Sequence, residues 1–346
     1  QAGMIYRPNR EKDVERLKEL ARSMIAATGH EEISLSSLSS SDYSQLEELI
    51  TFLIDECGKK KINISLPSLR IDAFSLDIMQ KVQDIKKSSL TFAPEAGSQR
   101  LRNVINKGLT IDNILDGSKQ AFEGGWNKVK LYFMLGLPTE TEEDMRAIPE
   151  LANEIAALYY DTVPKEKRNG KCQITISTSF FVPKPFTPFQ WATMLDPGDY
   201  LGRAKIVNDH VKEQLNHKSI RYNWHEADVT VLEGVLARGD RKLSDAIEYV
   251  YTHGGLFDAW SDFFNYDLWL EAFAACDIDI DFYTKRVRSD DEIFPWDFID
   301  VGVTREFLLR EWKTALKETV TPNCRMRCSG CGARQYGGGV CFEDKN

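Results

Sequence analysis

Ser88–Gly108 reads SSLTFAPEAGSQRLRNVINKG, and Val129–Met145 reads VKLYFMLGLPTETEEDM. Each stretch is an apolar run that breaks at Pro or Gly, shows an acid among small residues and then opens a helix. α/β proteins build ligand-binding rims in this way, at the carboxyl ends of their strands.

The same rhythm extends to both sides. Upstream, Val14, Leu17, Leu20, Met24 and Thr28 share one helical face, which stops at Gly29. A short strand is predicted over 33–38. A helix follows, carrying Leu46, Leu49, Ile50, Leu53 and Cys57, with a Ser44-x-x-Glu47 capping box at its start and Gly58 at its end. Ile62, Ile64 and Leu66 alternate as a strand, and Leu76, Met79 and Val82 as a helix. The strand over 88–93 leads to a short helix closed by Gly108 and a second one closed by Gly124-Gly125. The strand over 129–135 leads to a helix over 141–158 that Pro149 should kink. A last strand over 173–182 leads through a Pro-rich loop to a helix near 201–215.

Repeated βα units of this kind imply an α/β fold with a parallel sheet, which right-handed crossovers would curl into a barrel or partial barrel. A doubly wound open sheet has the same periodicity. After Arg221 the rhythm changes: 222–236 holds room for a strand, 242–251 and 305–317 read as helices, and 257–298 is dense in Trp, Phe, Tyr and Asp. The expected organisation is a core over 1–220, a mixed extension over 221–320 and a Cys-rich tail over 321–346.

At 346 residues, with 42% hydrophobic and 28% charged content, the composition is that of an ordinary globular protein. No apolar stretch approaches the roughly 20 residues that span a bilayer, and no signal-peptide core precedes Arg10. The net charge of −9 argues against a protein that coats nucleic acid, though not against one local RNA patch. Cysteines crowd the tail, which fits a metal site in a reducing compartment, and cytoplasm is the expected location.

Glu95 stands between Pro94 and Ala96-Gly97-Ser98, where small neighbours leave a carboxylate open to a ribose or an ammonium group. Capping of the helix near Ser98 explains it equally. Lys107 suits a substrate carboxylate or merely a helix C-terminus. Gly136 permits a turn, Thr139 and Glu142 are expected to form a capping box, and the Leu135–Gly136 backbone could lie against a planar base. Neither Glu140 nor Glu142 is assigned a catalytic role. The serines at 34, 36, 37, 39, 40, 41 and 44 form a low-complexity loop or a cradle for a small polar ligand head. The five histidines show no convergent spacing. In the tail, Cys324-x3-Cys328-x2-Cys331-x9-Cys341 on glycine-rich turns suits zinc or an iron–sulfur cluster, with a metal-free cysteine cluster as the plainer alternative.

PEAGSQRLRNVINKG followed by LGLPTETEED resembles the radical S-adenosylmethionine superfamily, in particular its cobalamin-binding branch. QAGMIYRP, EEISLSSLSSSDY, VPKPFTPFQW, LEGVLARGDR, PWDFIDVGV and TPNCRMRCSGC extend the resemblance over essentially the whole chain. It implies a partial (β/α)6 barrel lacking its first strand, S-adenosylmethionine, a 4Fe–4S cluster and a reductant such as flavodoxin or ferredoxin. Reductive cleavage would give a 5′-deoxyadenosyl radical acting on a small-molecule or RNA substrate, with cobalamin assisting in the full-length protein. By the same similarity Ser36, Ser37, Ser39 and Ser40 stand where other members contact the methionine amine. Glu95 would take the ribose or amine, Leu135 and Gly136 would flank the adenine, and Lys107 is the weakest assignment.

The family's three cluster cysteines, spaced Cys-x3-Cys-x2-Cys, are expected on a loop ending just before Gln1. The chain is therefore expected to be truncated, to lack a cobalamin domain and to be inactive alone in reductive cleavage. Cys324, Cys328 and Cys331 repeat that spacing but follow a helix outside the barrel units, so zinc or a second iron–sulfur cluster is expected there. Two other classes compete. A conventional βα-barrel hydrolase or aldolase needs a second catalytic group at the strand ends beside Glu95. A zinc-tailed RNA-binding module rests on Arg325, Arg327 and Arg334.

Overall fold

The computed structural model describes residues 1–35, 37, 43–65, 90–168, 170–324 and 326–337. Six strands run through them: β1 (Glu32–Ser34), β2 (Asn63–Ser65), β3 (Leu90–Glu95), β4 (Lys128–Leu135), β5 (Gln173–Phe180) and β6 (Ile220–Trp224). All pairings are parallel; β1 pairs with β2, and the other four form a sheet in the order β3-β4-β5-β6. The helices between them are α1 (Ala2–Ile5), α2 (Val14–Thr28), α3 (Leu46–Gly58), α4 (Gln99–Val104), α5 (Ile111–Glu123), α6 (Glu142–Thr162) and α7 (Pro197–Glu213). The helix expected around Leu76, Met79 and Val82 lies outside the described residues.

Among the described residues, helices pack on one side of the larger sheet. Along β4, Val129, Leu131, Phe133 and Leu135 are buried, whereas Lys128, Lys130, Tyr132 and Met134 are not. Ile174, Ile176 and Phe180 of β5 and Ile220 of β6 continue the buried row, which packs on Ile114 and Phe122 of α5, Ile148 and Ile155 of α6, and Val207 of α7. Each such side chain contributes about 1.5–3 kcal/mol on leaving water. The other face shows Lys130, Tyr132, Thr175 and Arg221. A doubly wound sheet buries both faces under helices and reads as continuously apolar; β4 alternates instead.

Local details depart from the sequence patterns for identifiable reasons. On α2 the buried residues are Val14, Ala21 and Ile25, while Met24 is exposed. A pattern built on large side chains passes over Ala21, whose small volume turns that side of the helix toward Leu49 and Leu53 of α3. Leu17, Leu20 and Met24 line a cavity of about 580 Å³ beside this core, with Leu35 and Leu46. Gly29 ends α2 in the left-handed conformation, as expected. The Ser44 box does not form: α3 starts at Leu46 with no side-chain cap, because the Ser44 hydroxyl donates to Glu11 Oε2 at 2.5 Å. The Thr139–Glu142 box is displaced too. Asp144 Oδ2 accepts from the Thr141 amide at 2.8 Å, and Glu142 pairs with Arg146 at 2.7 Å. Helix α6 runs unbroken through Pro149.

Within 220–236, a strand over the first five residues extends the sheet and α8 (Ala227–Arg238) follows. The remaining helices are α9 (Leu243–Thr252), α10 (Tyr266–Ala275), α11 (Ile280–Thr284) and α12 (Arg305–Ala315). Val235, Ala246, Trp269 and Phe273 form one core there; Trp191, Phe294, Trp296 and Phe307 form another that takes in Cys331. Among the described residues no helix is long and apolar enough to cross a membrane.

Candidate functional site

Glu95 ends β3 after a register shift between Phe92 and Glu95, and adopts a left-handed φ of 69°. A non-glycine residue held there costs about 1–3 kcal/mol and needs surroundings that enforce it. Those surroundings are visible. Fully buried Arg102 donates to the carbonyls of Ala96 and Gly97, each at 2.9 Å, and to that of Leu109 at 3.1 Å, pinning the loop after the strand. Burial brings the Arg102 pKa down to about 10.

Of the small residues after Glu95, Gly97 has a packing role. A Cβ on Gly97 would stand 2.5 Å from the Ile148 amide nitrogen, so this glycine is what admits α6. The capping explanation for Glu95 also falls away, because Ser98 Oγ accepts from the Leu101 amide at 3.0 Å and caps α4 itself. Among the described residues the hydrogen-bond partner of the Glu95 carboxylate is Lys107, whose Nζ stands 3.5 Å away. Burial pushes the Glu95 pKa up, and Lys107 opposes that shift. Glu95 and Lys107 are thus brought together.

Phe133 is the β4 partner of Glu95, so Leu135 and Gly136 stand one step further along the neighbouring strand end. Gly136 has φ +83°, and a Cβ there would meet Tyr200 Cε1 at 2.6 Å. Tyr200 is itself fixed by donating its hydroxyl proton to the Phe181 carbonyl at 2.7 Å. The Gly136 amide donates to Glu140 Oε2 at 2.8 Å, and the same oxygen lies 3.1 Å from Arg203. Burial raises the Glu140 pKa to about 7, against the Gly136 amide and Arg203. The Gly136-x3-Glu140 spacing was the available signal for this contact; Arg203, on α7, left none. Asp144 at the start of α6 accepts from Ser98 Oγ and Arg100, which ties α4 to α6 across the two strand ends. One short rim thus collects two carboxylates of raised pKa and a pinned turn.

Of the serine loop, Ser37 is described; it is exposed and lines the cavity beside α2 and α3. Ser36, Ser39 and Ser40 lie outside the described residues, as do Arg325 and Cys341. Cys324 is half-buried, Cys328 exposed and Cys331 buried. Among the described residues no three Cys, His, Asp or Glu side chains converge so as to hold a metal ion.

Among the described residues, then, a parallel βα sheet carries α5, α6 and α7 on one side and presents Glu95 and Gly136 at its strand ends. Residues 2–152 match the family model of the Radical SAM superfamily, and this part of the chain belongs to that superfamily. Members of that superfamily use S-adenosylmethionine and a 4Fe–4S cluster. The chain is similar to the uncharacterized protein MJ0966 of Methanocaldococcus jannaschii, at 34% identity over 248 residues, which are 72% of this chain and 50% of that protein. The chain thus spans about half the length of this curated relative. Among solved structures it shows a slight likeness to the arginine decarboxylase of Paramecium bursaria Chlorella virus. The TM-score is 0.28 at 11% identity, covering 62% of this chain and 63% of that one. The same enzyme bound to agmatine gives 0.27 at 11% identity, over 61% and 62%. Scores this low carry no argument about the fold.

Proposed function

We propose that this chain is the S-adenosylmethionine-binding part of a radical S-adenosylmethionine enzyme, with its partial barrel formed around the face of the larger sheet opposite α5, α6 and α7. The observation that carries the reading is Glu95, a desolvated carboxylate at a strand end, relieved of capping duty by Ser98. Such a group accepts two ribose hydroxyls or an ammonium group. Lys107 opposes the rise of its pKa and orients the carboxylate until the ligand arrives. The Leu135–Gly136 peptide offers a flat edge for adenine on the side away from Tyr200 and Leu195, which occupy the other. The serine loop after β1 supplies the methionine end.

When bound, S-adenosylmethionine supplies one-electron chemistry through reductive cleavage of its sulfonium. In this reading the described residues bind and orient S-adenosylmethionine; among them no three Cys, His, Asp or Glu side chains are placed to hold the 4Fe–4S cluster. An external small redox protein such as flavodoxin or ferredoxin supplies the electron, and cobalamin assistance belongs to the whole protein.

Calorimetric titration of S-adenosylmethionine into the chain tests the reading. Binding that falls at least about tenfold, the equivalent of 1.4 kcal/mol, in Glu95→Ala, with unchanged melting, supports it. No measurable binding, or binding indifferent to Glu95, favours a conventional barrel enzyme.

A further inference from the structure

The face of the larger sheet opposite α5, α6 and α7 carries an ordered charge pattern. Cα register places Thr91 beside Lys130, Lys130 beside Thr175 and Thr175 beside Arg221, so one rung reads Thr-Lys-Thr-Arg across all four strands. Parallel partners in register point to the same face. The rung therefore alternates hydroxyls and cations, with Lys130 and Arg221 about 10 Å apart at two strand spacings. No acid occurs in β4, β5 or β6, so Glu95 at the end of β3 is the one carboxylate within these strands. Neither Lys130 nor Arg221 has an ion-pair partner among the described residues. Lys130 Nζ leans over the Tyr132 ring at 4.5 Å, and Arg221 stands against the Gln173 side-chain amide, whose oxygen accepts from Nε at 3.2 Å when the amide is turned to face it.

In a chain of net charge −9 this local excess of positive charge needs an explanation. Like charges gathered on one face repel, and among the described residues no carboxylate pairs with either of them. Arg and Lys flanking a hydroxyl form a donor set for a tetrahedral or planar oxyanion. Three residues of strand separate this rung from the level of Glu95, which is about 10 Å.

We propose that the Lys130–Thr175–Arg221 rung binds the phosphate or carboxylate group of a small anionic substrate, seated over Thr175 below the strand-end site. The inference rests on reading this face as the substrate side of a radical S-adenosylmethionine enzyme. Both cations have stems long enough to swing from Tyr132 and Gln173 toward a shared anion.

The test titrates inorganic phosphate and, separately, acetate into the full chain in a chloride-free buffer. S-adenosylmethionine is titrated in parallel. Phosphate or acetate binding that weakens about tenfold or more in Lys130→Gln and again in Arg221→Gln supports the site, and whichever anion binds tighter names the group. S-adenosylmethionine affinity should not change in these variants. Equal anion affinity in the wild type and the double variant overturns the proposal. So does a short single-stranded RNA that binds far tighter than either anion and depends on the same two residues. If the variants do not fold, 15N-labelled wild-type arginine decides: the Arg221 Nε–H resonance must shift with phosphate or acetate, and a fixed resonance refutes the site. Variant-sensitive anion binding by a chain that takes no S-adenosylmethionine would sink the proposed function and leave the anion site standing.

Discussion

The Glu140 carboxylate holds the Gly136 amide at 2.8 Å and the Arg203 guanidinium at 3.1 Å with one and the same oxygen. A single buried side chain thereby fixes the turn that ends β4 and docks α7 against it. Its pKa, raised from 4.5 to about 7, means that folding favours the protonated form. The folded chain binds more protons than the unfolded one between those values, so this contribution is fully present below 4.5 and lost as pH rises through 7. Glu140→Gln should keep the Gly136 bond and flatten the fall in stability between pH 5 and 7, as measured by denaturant midpoints across that range. Glu140→Ala, which leaves the amide and Arg203 without their acceptor, should cost about 2–3 kcal/mol at neutral pH.

Two glycines should differ in how badly alanine fits. At Gly97 the new Cβ meets backbone, 2.5 Å from the Ile148 nitrogen and 2.8 Å from the Ala147 carbonyl carbon, and α6 would have to move. At Gly136 it meets the edge of the Tyr200 ring at 2.6 Å, with an added left-handed φ penalty. We expect Gly97→Ala to cost about 3 kcal/mol or more, and Gly136→Ala about 2–3 kcal/mol. In the Gly136→Ala background, Tyr200→Leu should recover part of the loss, because it removes the clashing ring edge. Thermal unfolding of the variants checks the order, and equal stabilities would contradict the close packing of α6 on this loop.

The reach of sequence reasoning follows from how local each signal is. The strands over 129–135 and 173–180 were legible because alternation such as Val129, Leu131, Phe133 and Leu135 is written within one segment. Gly29 as a helix stop was legible for the same reason. Ser44 misled because its acceptor, Glu11, lies 33 residues away. The Glu140–Arg203 contact spans 63 residues and no local pattern encodes it. Glu95 stood out by its neighbours, yet one of them, Gly97, turned out to admit α6. The Thr-Lys-Thr-Arg rung needs the register of four strands, and only the folded sheet supplies that.

Asp144 supplies a prediction of opposite sign. It is buried with Arg100, Ser98 and Thr141 all directed at its carboxylate. Burial pushes its pKa up, but Arg100 and the other donors outweigh this and hold it below the ordinary value of 3.8. Stability from this group is present above 3.8 and lost as pH falls further. Arg100→Ala should cost about 3–5 kcal/mol at neutral pH by leaving a buried carboxylate unpaired. The loss should shrink in acid, as the carboxylate takes up a proton, and urea titrations at neutral and acidic pH would show it.

Glu95 and Lys107 can be separated by titration. Burial raises the Glu95 pKa and Lys107, at 3.5 Å, restrains it. Removing the cation in Lys107→Met should therefore raise the Glu95 pKa further, seen as an alkaline displacement of the midpoint at which its carboxyl carbon resonance titrates in 13C NMR. Glu95→Gln should leave stability at neutral pH equal or slightly higher, since no buried charge then has to be held. If Glu95 instead served the fold, Gln would lower the melting temperature and Lys107→Met would do the same. If it serves a ligand, both proteins melt as the wild type does, and Glu95→Gln weakens S-adenosylmethionine binding far more than Lys107→Met, because only the first removes the acceptor that two ribose hydroxyls or an ammonium group require.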